Sequence, residues 1–208
     1  MVTTSTSAEQ RVMLQNISWQ LFENLLAEMG ENRSTRLTYY KEKLEFMTPL
    51  PEHEKSNRRI EAMIVALVDE LNLNIEMAGS MTIKRPDMRV GKEPGSCYYI
   101  QNEALVRGKS KLDFTQDPPP DLAIEIDITN SSLNHLEIYA DLGVPEVWRY
   151  DGSTLGFYQL QDQKYLECKF SPTFPFLTAS KVIKFLEQCQ KLGVTTGLRL
   201  LRKWVRNR

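Results

Sequence analysis

The segment Asp121-Leu122-Ala123-Ile124-Glu125-Ile126-Asp127-Ile128-Thr129 decides the fold. Side chains alternate across a β-strand with period two. Leu122, Ile124, Ile126 and Ile128 therefore share one face, which is wholly aliphatic and belongs in a core. Asp121, Ala123, Glu125, Asp127 and Thr129 share the other, which aligns three carboxylates. The ordinary fate of such alternation is an antiparallel strand whose polar face meets water. The functional alternative is a divalent-cation site. Carboxylate oxygens on a rigid strand suit Mg²⁺ or Mn²⁺, and clustered negative charge is costly unless a cation neutralises it.

Outward from this strand the pattern is mixed. The stiff run Asp117-Pro118-Pro119-Pro120 leads into it. A short helix over 133–142 ends at Gly143, and strands follow at 146–150, 154–160 and 165–168. Two helices, 179–190 and 195–206, complete the chain. Upstream, Ser18 is a candidate N-cap for a helix to Met29, with Trp19, Phe22, Leu25, Leu26 and Met29 at helical spacing. Strands are expected at 36–40, 44–48, 75–83, 88–90 and 98–100. Ile60, Met63, Ile64, Leu67, Val68 and Leu71 make one apolar stripe of a further helix. This order predicts an α/β domain with a mixed central sheet flanked by helices. Residues 1–14 read as a flexible leader and 15–208 as one domain.

Composition bounds the function. The 208 residues carry 26 Lys+Arg and 27 Asp+Glu, for a net charge of −1, which argues against a general polycation. Three scattered cysteines form no disulfide framework and fit a reducing, cytoplasmic setting. Two histidines leave little room for a His-rich metal site. No run of apolar residues is long enough to span a membrane. Gly91-Lys92 lacks the spacing of a phosphate-binding loop, so no nucleotide cofactor is indicated.

The near-neutral charge hides an asymmetry. Residues 112–151 hold nine acidic residues against one basic, Arg149, while residues 81–111 hold seven basic against three acidic. A basic surface beside an acidic pocket suits a metal-dependent enzyme acting on phosphodiesters. A second candidate ligand is Asp87, in Arg85-Pro86-Asp87-Met88, although an acid after proline is also a common turn residue. The tail from Leu198 to Arg208 has five basic residues and no acid. It reads as a phosphate or partner contact, or as a solvated helix face with Leu198, Leu201 and Val205 inward.

Pro86-Asp87 followed after 38 residues by Glu125 resembles the PD-(D/E)XK nuclease core. The likeness extends through Leu44-Glu45, Glu52-His53-Glu54, Pro120-Asp121-Leu122-Ala123-Ile124-Glu125 and the run from Tyr139-Ala140 to Glu146-Val147-Trp148. Over residues 15–205 the chain is similar to the Uma family of restriction-endonuclease-like proteins, common in cyanobacteria. The resemblance implies a restriction-endonuclease-like fold and Mg²⁺- or Mn²⁺-dependent hydrolysis of DNA. It further implies that Asp87, Glu125 and the Ile126 carbonyl hold the metal and that the protein is a homodimer. Glu45 matches a recurrent acidic position and reads either as an additional ligand, directly or through water, or as a surface strand residue.

Two positions depart from the pattern. Where the superfamily places a lysine two residues after the Glu, this chain has Asp127, which cannot orient water by positive charge. Relatives move that lysine to the following helix, four residues before the tyrosine. Here the place is His135, ahead of Tyr139, and only a protonated imidazole would substitute. Lys84 is another candidate donor, but three residues before Asp87 it faces the opposite side of a regular strand. These departures make a DNA-binding or protein-interaction module that keeps the fold without turnover the rival expectation. His53 is site-facing by the match, while as a residue it also suits the polar start of a helix.

Overall fold

The computed structural model describes residues 9–30, 33–128 and 133–208. The element order is β1(Glu9–Leu14), α1(Trp19–Met29), β2(Arg36–Tyr40), β3(Lys43–Pro49), α2(Pro51–Glu70), β4(Glu76–Gly79), β5(Ile83–Arg85), β6(Val90–Lys92) and β7(Ser96–Tyr99). Then come α3(Glu103–Val106), β8(Leu122–Ile126), α4(His135–Leu142), β9(Glu146–Tyr150), β10(Leu155–Gln161), β11(Lys164–Cys168), α5(Ala179–Leu192) and α6(Val194–Arg206). The α/β class follows from the sequence as expected.

The strands form two sheets rather than one. The first has the order β1-β3-β2-β6-β5 and the second β11-β10-β9-β8-β7-β4. The segment 75–83, expected as one strand, is divided between them: β4 joins the second sheet and β5 the first. In the second sheet β8 and β9 are parallel, with Glu125 opposite Arg149, and α4 makes the crossover. Gly143 ends α4 at φ +75°, a left-handed backbone that a Cβ disfavours.

Each layer is held by an apolar stripe legible in the sequence. The inward face of α2 packs with α5 and α6 on the aliphatic face of β8, where Leu122, Ile124 and Ile126 lie among Ile64, Leu67, Trp148 and Phe185. On the opposite face Ala123 and Val147 meet Ile138 and Tyr139 of α4 and Ile83 and Val90 of the first sheet. Helix α1, capped by the Ser18 side chain accepting from the Leu21 N–H, lays Phe22 on Leu37, Tyr39 and Leu44.

Two expectations need correction. Residues 9–14 are not leader but strand β1, paired antiparallel with β3 from Glu9 opposite Pro49 to Leu14 opposite Leu44. The polar face of β8 is not solvated: every residue of β8 is buried, because the first sheet and α4 cover it. Thr129, the end of the quoted segment, lies outside the described residues. Among the described residues no helix is long and apolar enough to cross a membrane.

Candidate carboxylate site

Three carboxylates converge where β8 ends: Glu125, Asp127 and, from β3, Glu45. They are 4%, 4% and 2% exposed. Burial at this depth requires a partner for each charge. Lys92, the last residue of β6 and itself buried, sends Nζ to 3.3 Å from both Glu125 oxygens. The His135 ring lies with Nδ1 2.5 Å from Glu125 Oε1 and Nε2 3.3 Å from Glu45 Oε1. Tyr139 donates its hydroxyl to Glu125 Oε2 at 2.7 Å. Arg11 of β1 donates to Glu45 at 2.8 Å and to Asp127 at 3.4 Å, and Arg149 of β9 donates to Asp127 at 2.8 Å.

Both nitrogens of His135 face carboxylate oxygens, an arrangement in which only the imidazolium form donates on both sides. Burial and the nearby Lys92 charge oppose the imidazolium, yet Glu125 and Glu45 outweigh them and its pKa is raised. Burial likewise opposes ionisation of Glu125, but Lys92, His135 and Tyr139 overcome it and its pKa falls well below the usual carboxylate range. Glu125 and His135 thus favour each other's charged forms. Beside it lies a cavity of about 310 Å³ lined by Glu125, Asp127, Leu133, Asn134, His135, Leu136, Tyr139, Val147 and Arg149.

The expected site residues meet only in part. Glu45, Glu125, Asp127 and His135 come together. Asp87 does not join them: it sits in the turn between β5 and β6, half exposed, with both oxygens taken by Arg85 at 2.9 and 2.6 Å. That guanidinium holds its pKa below the ordinary value. The Ile126 carbonyl accepts from Nε2–H of the buried His53 at 3.1 Å. Lys84 pairs with Glu23 of α1 at 2.7 Å, away from the cluster.

Strand β7, which pairs with β8 on the side away from β9, carries no acid. Gly95, just before β7, donates its N–H to the Ile124 carbonyl, and a Cβ there would meet that oxygen at 2.8 Å. Glu93 turns to Arg33, to the Thr82 hydroxyl and to the Leu37 N–H at 2.7 Å.

No sequence motif marks Lys92, Arg11 or Arg149 as site residues. Lys92 carried a usable signal, since it shares a strand face with the apolar Val90. Arg11 carried none, lying in what reads as a leader.

The divalent cation implied by the resemblance can be tested against this donor set. Glu125 already accepts from three donors, Ile126 is occupied by His53, and Asp87 is elsewhere. Four basic side chains among the described residues (Arg11, Lys92, His135, Arg149) face three carboxylates and offset the charge that a metal would balance. Among the described residues no group of three or more His, Cys, Asp or Glu side chains is arranged to hold a metal. The residues as arranged do not fit a divalent ion.

Comparison with solved structures finds a protein of Anabaena variabilis ATCC 29413 described as "a putative nuclease belonging to DUF820". It is 16% identical, with a TM-score of 0.54, and the match covers 81% of this chain and 98% of that one. This likeness shows the fold, which is restriction-endonuclease-like. No curated protein matches the chain. The profile of the Uma2 family, described as "Putative restriction endonuclease", matches residues 19–190. Spanning most of the sequence, that match joins the buried Glu125 strand to its α4–β9 crossover in one pattern, and the chain belongs to the Uma2 family.

Proposed function

We propose that the protein is a DNA-binding module that keeps the restriction-endonuclease-like fold without metal-dependent turnover at Glu125. The observation that carries this reading is the occupancy of Glu125. Lys92, His135 and Tyr139 take both of its oxygens, and the acid expected to share a metal with it, Asp87, is bound to Arg85 at a surface turn. DNA as the partner comes from family membership. A surface suited to phosphates lies on α6, where Arg199 and Lys203, beside Arg202 and Arg206 that pair with acids of α2, line a groove of about 260 Å³.

The groove and the carboxylates are far apart. Arg202 and Arg206 pair with Glu70 at the C-terminal end of α2, whereas His53 near its start touches Ile126. His53 and Glu70 are seventeen positions apart on the helix, about 25 Å at 1.5 Å per residue. Duplex held on α6 would therefore lie well away from Glu125.

A second reading, hydrolysis of DNA phosphodiesters with Mg²⁺ or Mn²⁺, is favoured by one observation. Lys92 supplies a buried ammonium beside Glu125, the charge absent at Asp127. Incubating the protein with plasmid and either ion, beside Glu125→Gln, separates the two. Salt-sensitive DNA binding without nicking supports the proposal. Nicking that disappears in Glu125→Gln would sink it in favour of the second reading.

A further inference from the structure

We propose that Lys92 and Arg11, with His135 between them, are built-in counter-ions that replace a divalent cation and fasten the two sheets together. This rests on the reading of the site as one without metal-dependent turnover, and gives that site a different task.

The argument is one of topology. β1, β3 and β6 belong to the first sheet, and β8 and β9 to the second. Lys92 of β6 reaches Glu125 of β8, so one ion pair crosses the gap. Arg11 of β1 holds Glu45 in its own sheet and Asp127, just past β8, in the other. His135, at the start of the crossover helix of the second sheet, reaches back to Glu45 of the first. Three separate contacts thus tie the sheets through charge. A metal-bound site would gather these carboxylates on one ion. Here each carboxylate accepts hydrogen bonds from fixed donors on different elements, which is how buried charges are retained without metal.

The donors are also poorly placed to leave. Lys92 is 2% exposed, and its ammonium lies 5.1 Å from the centroid of the Tyr139 ring, a second favourable contact for the cation. Arg149 closes the outer side of Asp127 at 2.8 Å. A dication entering this group would add positive charge beside Lys92, Arg11 and Arg149, and would have to compete with the buried Lys92 for Glu125.

The test is Mn²⁺ binding to the full chain, followed by electron paramagnetic resonance of the free ion, together with the unfolding temperature in EDTA and in excess Mg²⁺. The expected result is no Mn²⁺ uptake up to about 1 mM, the weak limit of protein cation sites. The unfolding temperature should be the same in both buffers. Lys92→Met should lower it by roughly 10 °C. Submillimolar Mn²⁺ binding that is lost in Glu125→Gln would overturn the inference, as would a Lys92→Met chain of unchanged stability. DNA binding is measured alongside. Its absence with a metal-silent site overturns the proposed function alone, whereas Mn²⁺ uptake without nicking overturns this inference alone.

Discussion

His135 and Glu125 face each other across 2.5 Å between α4 and β8, and the far nitrogen of the same ring meets Glu45 of β3. One imidazole therefore joins two carboxylates from different sheets. Lys92 completes the pairing of Glu125 from a third element. Removing one partner of a buried ion pair leaves the other charged and unpaired. Lys92→Met is expected to cost about 3–5 kcal/mol in urea unfolding. Lys92→Met with Glu125→Gln should recover part of that loss, because the stranded charge goes too. A double variant no better than Lys92→Met alone would refute the coupling.

His53 is expected to act through the backbone. Its Nε2–H is given to the Ile126 carbonyl inside the core. His53→Ala leaves that oxygen without this donor and should cost about 1–3 kcal/mol. Hydrogen exchange should report the loss first at the end of β8. Uniform loosening of the whole domain would argue against a local role.

Asp87→Ala should leave both the urea midpoint and DNA binding unchanged. The carboxylate lies at an exposed turn and its partner, Arg85, can be hydrated instead. A marked loss of DNA binding would show that this turn belongs to the contact surface after all.

Glu146 sets an expected pH dependence. It is buried and accepts from Trp148 Nε1–H, Ser171 Oγ and the Thr173 N–H, with no cation among these contacts. Burial raises its pKa, and the hydrogen bonds only partly offset that. A carboxyl with a raised folded pKa contributes stability that is full below the unfolded value, about 4.3, and lost as pH rises through the folded one. Unfolding curves of the natural chain and Glu146→Gln, taken from acid to neutral pH, should therefore shift against each other in the variant's favour. Parallel curves would refute the assignment.

Arg199→Ala and Lys203→Ala should each weaken DNA binding across all sequences. Each should also reduce the slope of log affinity against log salt by about one. An unchanged slope in both would remove α6 as the phosphate contact.

Particular residues show how much was legible in advance. The β8 strand, the Ser18 cap, the α2 stripe and the end of α4 at Gly143 all follow from local periodicity and backbone preference. Alternation also identified which residues share the face of Glu125. It could not say what lies over that face, and so the solvated reading failed where the first sheet covers it. Asp87 carried a motif but not a position: the two sheets diverge between β4 and β5, and the turn that follows stays at the surface. Lys92 and Arg149 reach the carboxylates through strand pairings that no local pattern encodes.

Strand β1 has a consequence for how the chain assembles. Arg11 is 34 residues from Glu45 but 116 from Asp127. The pairing with β3 can close early, since its loop is short. The bridge to Asp127 must wait for the 116 residues up to that carboxylate, and long closures carry the larger entropic cost and slow assembly. Strand β1 would thus gain its partner in the second sheet well after its partner in the first, and docking of that edge onto Asp127 would mark a late stage of folding.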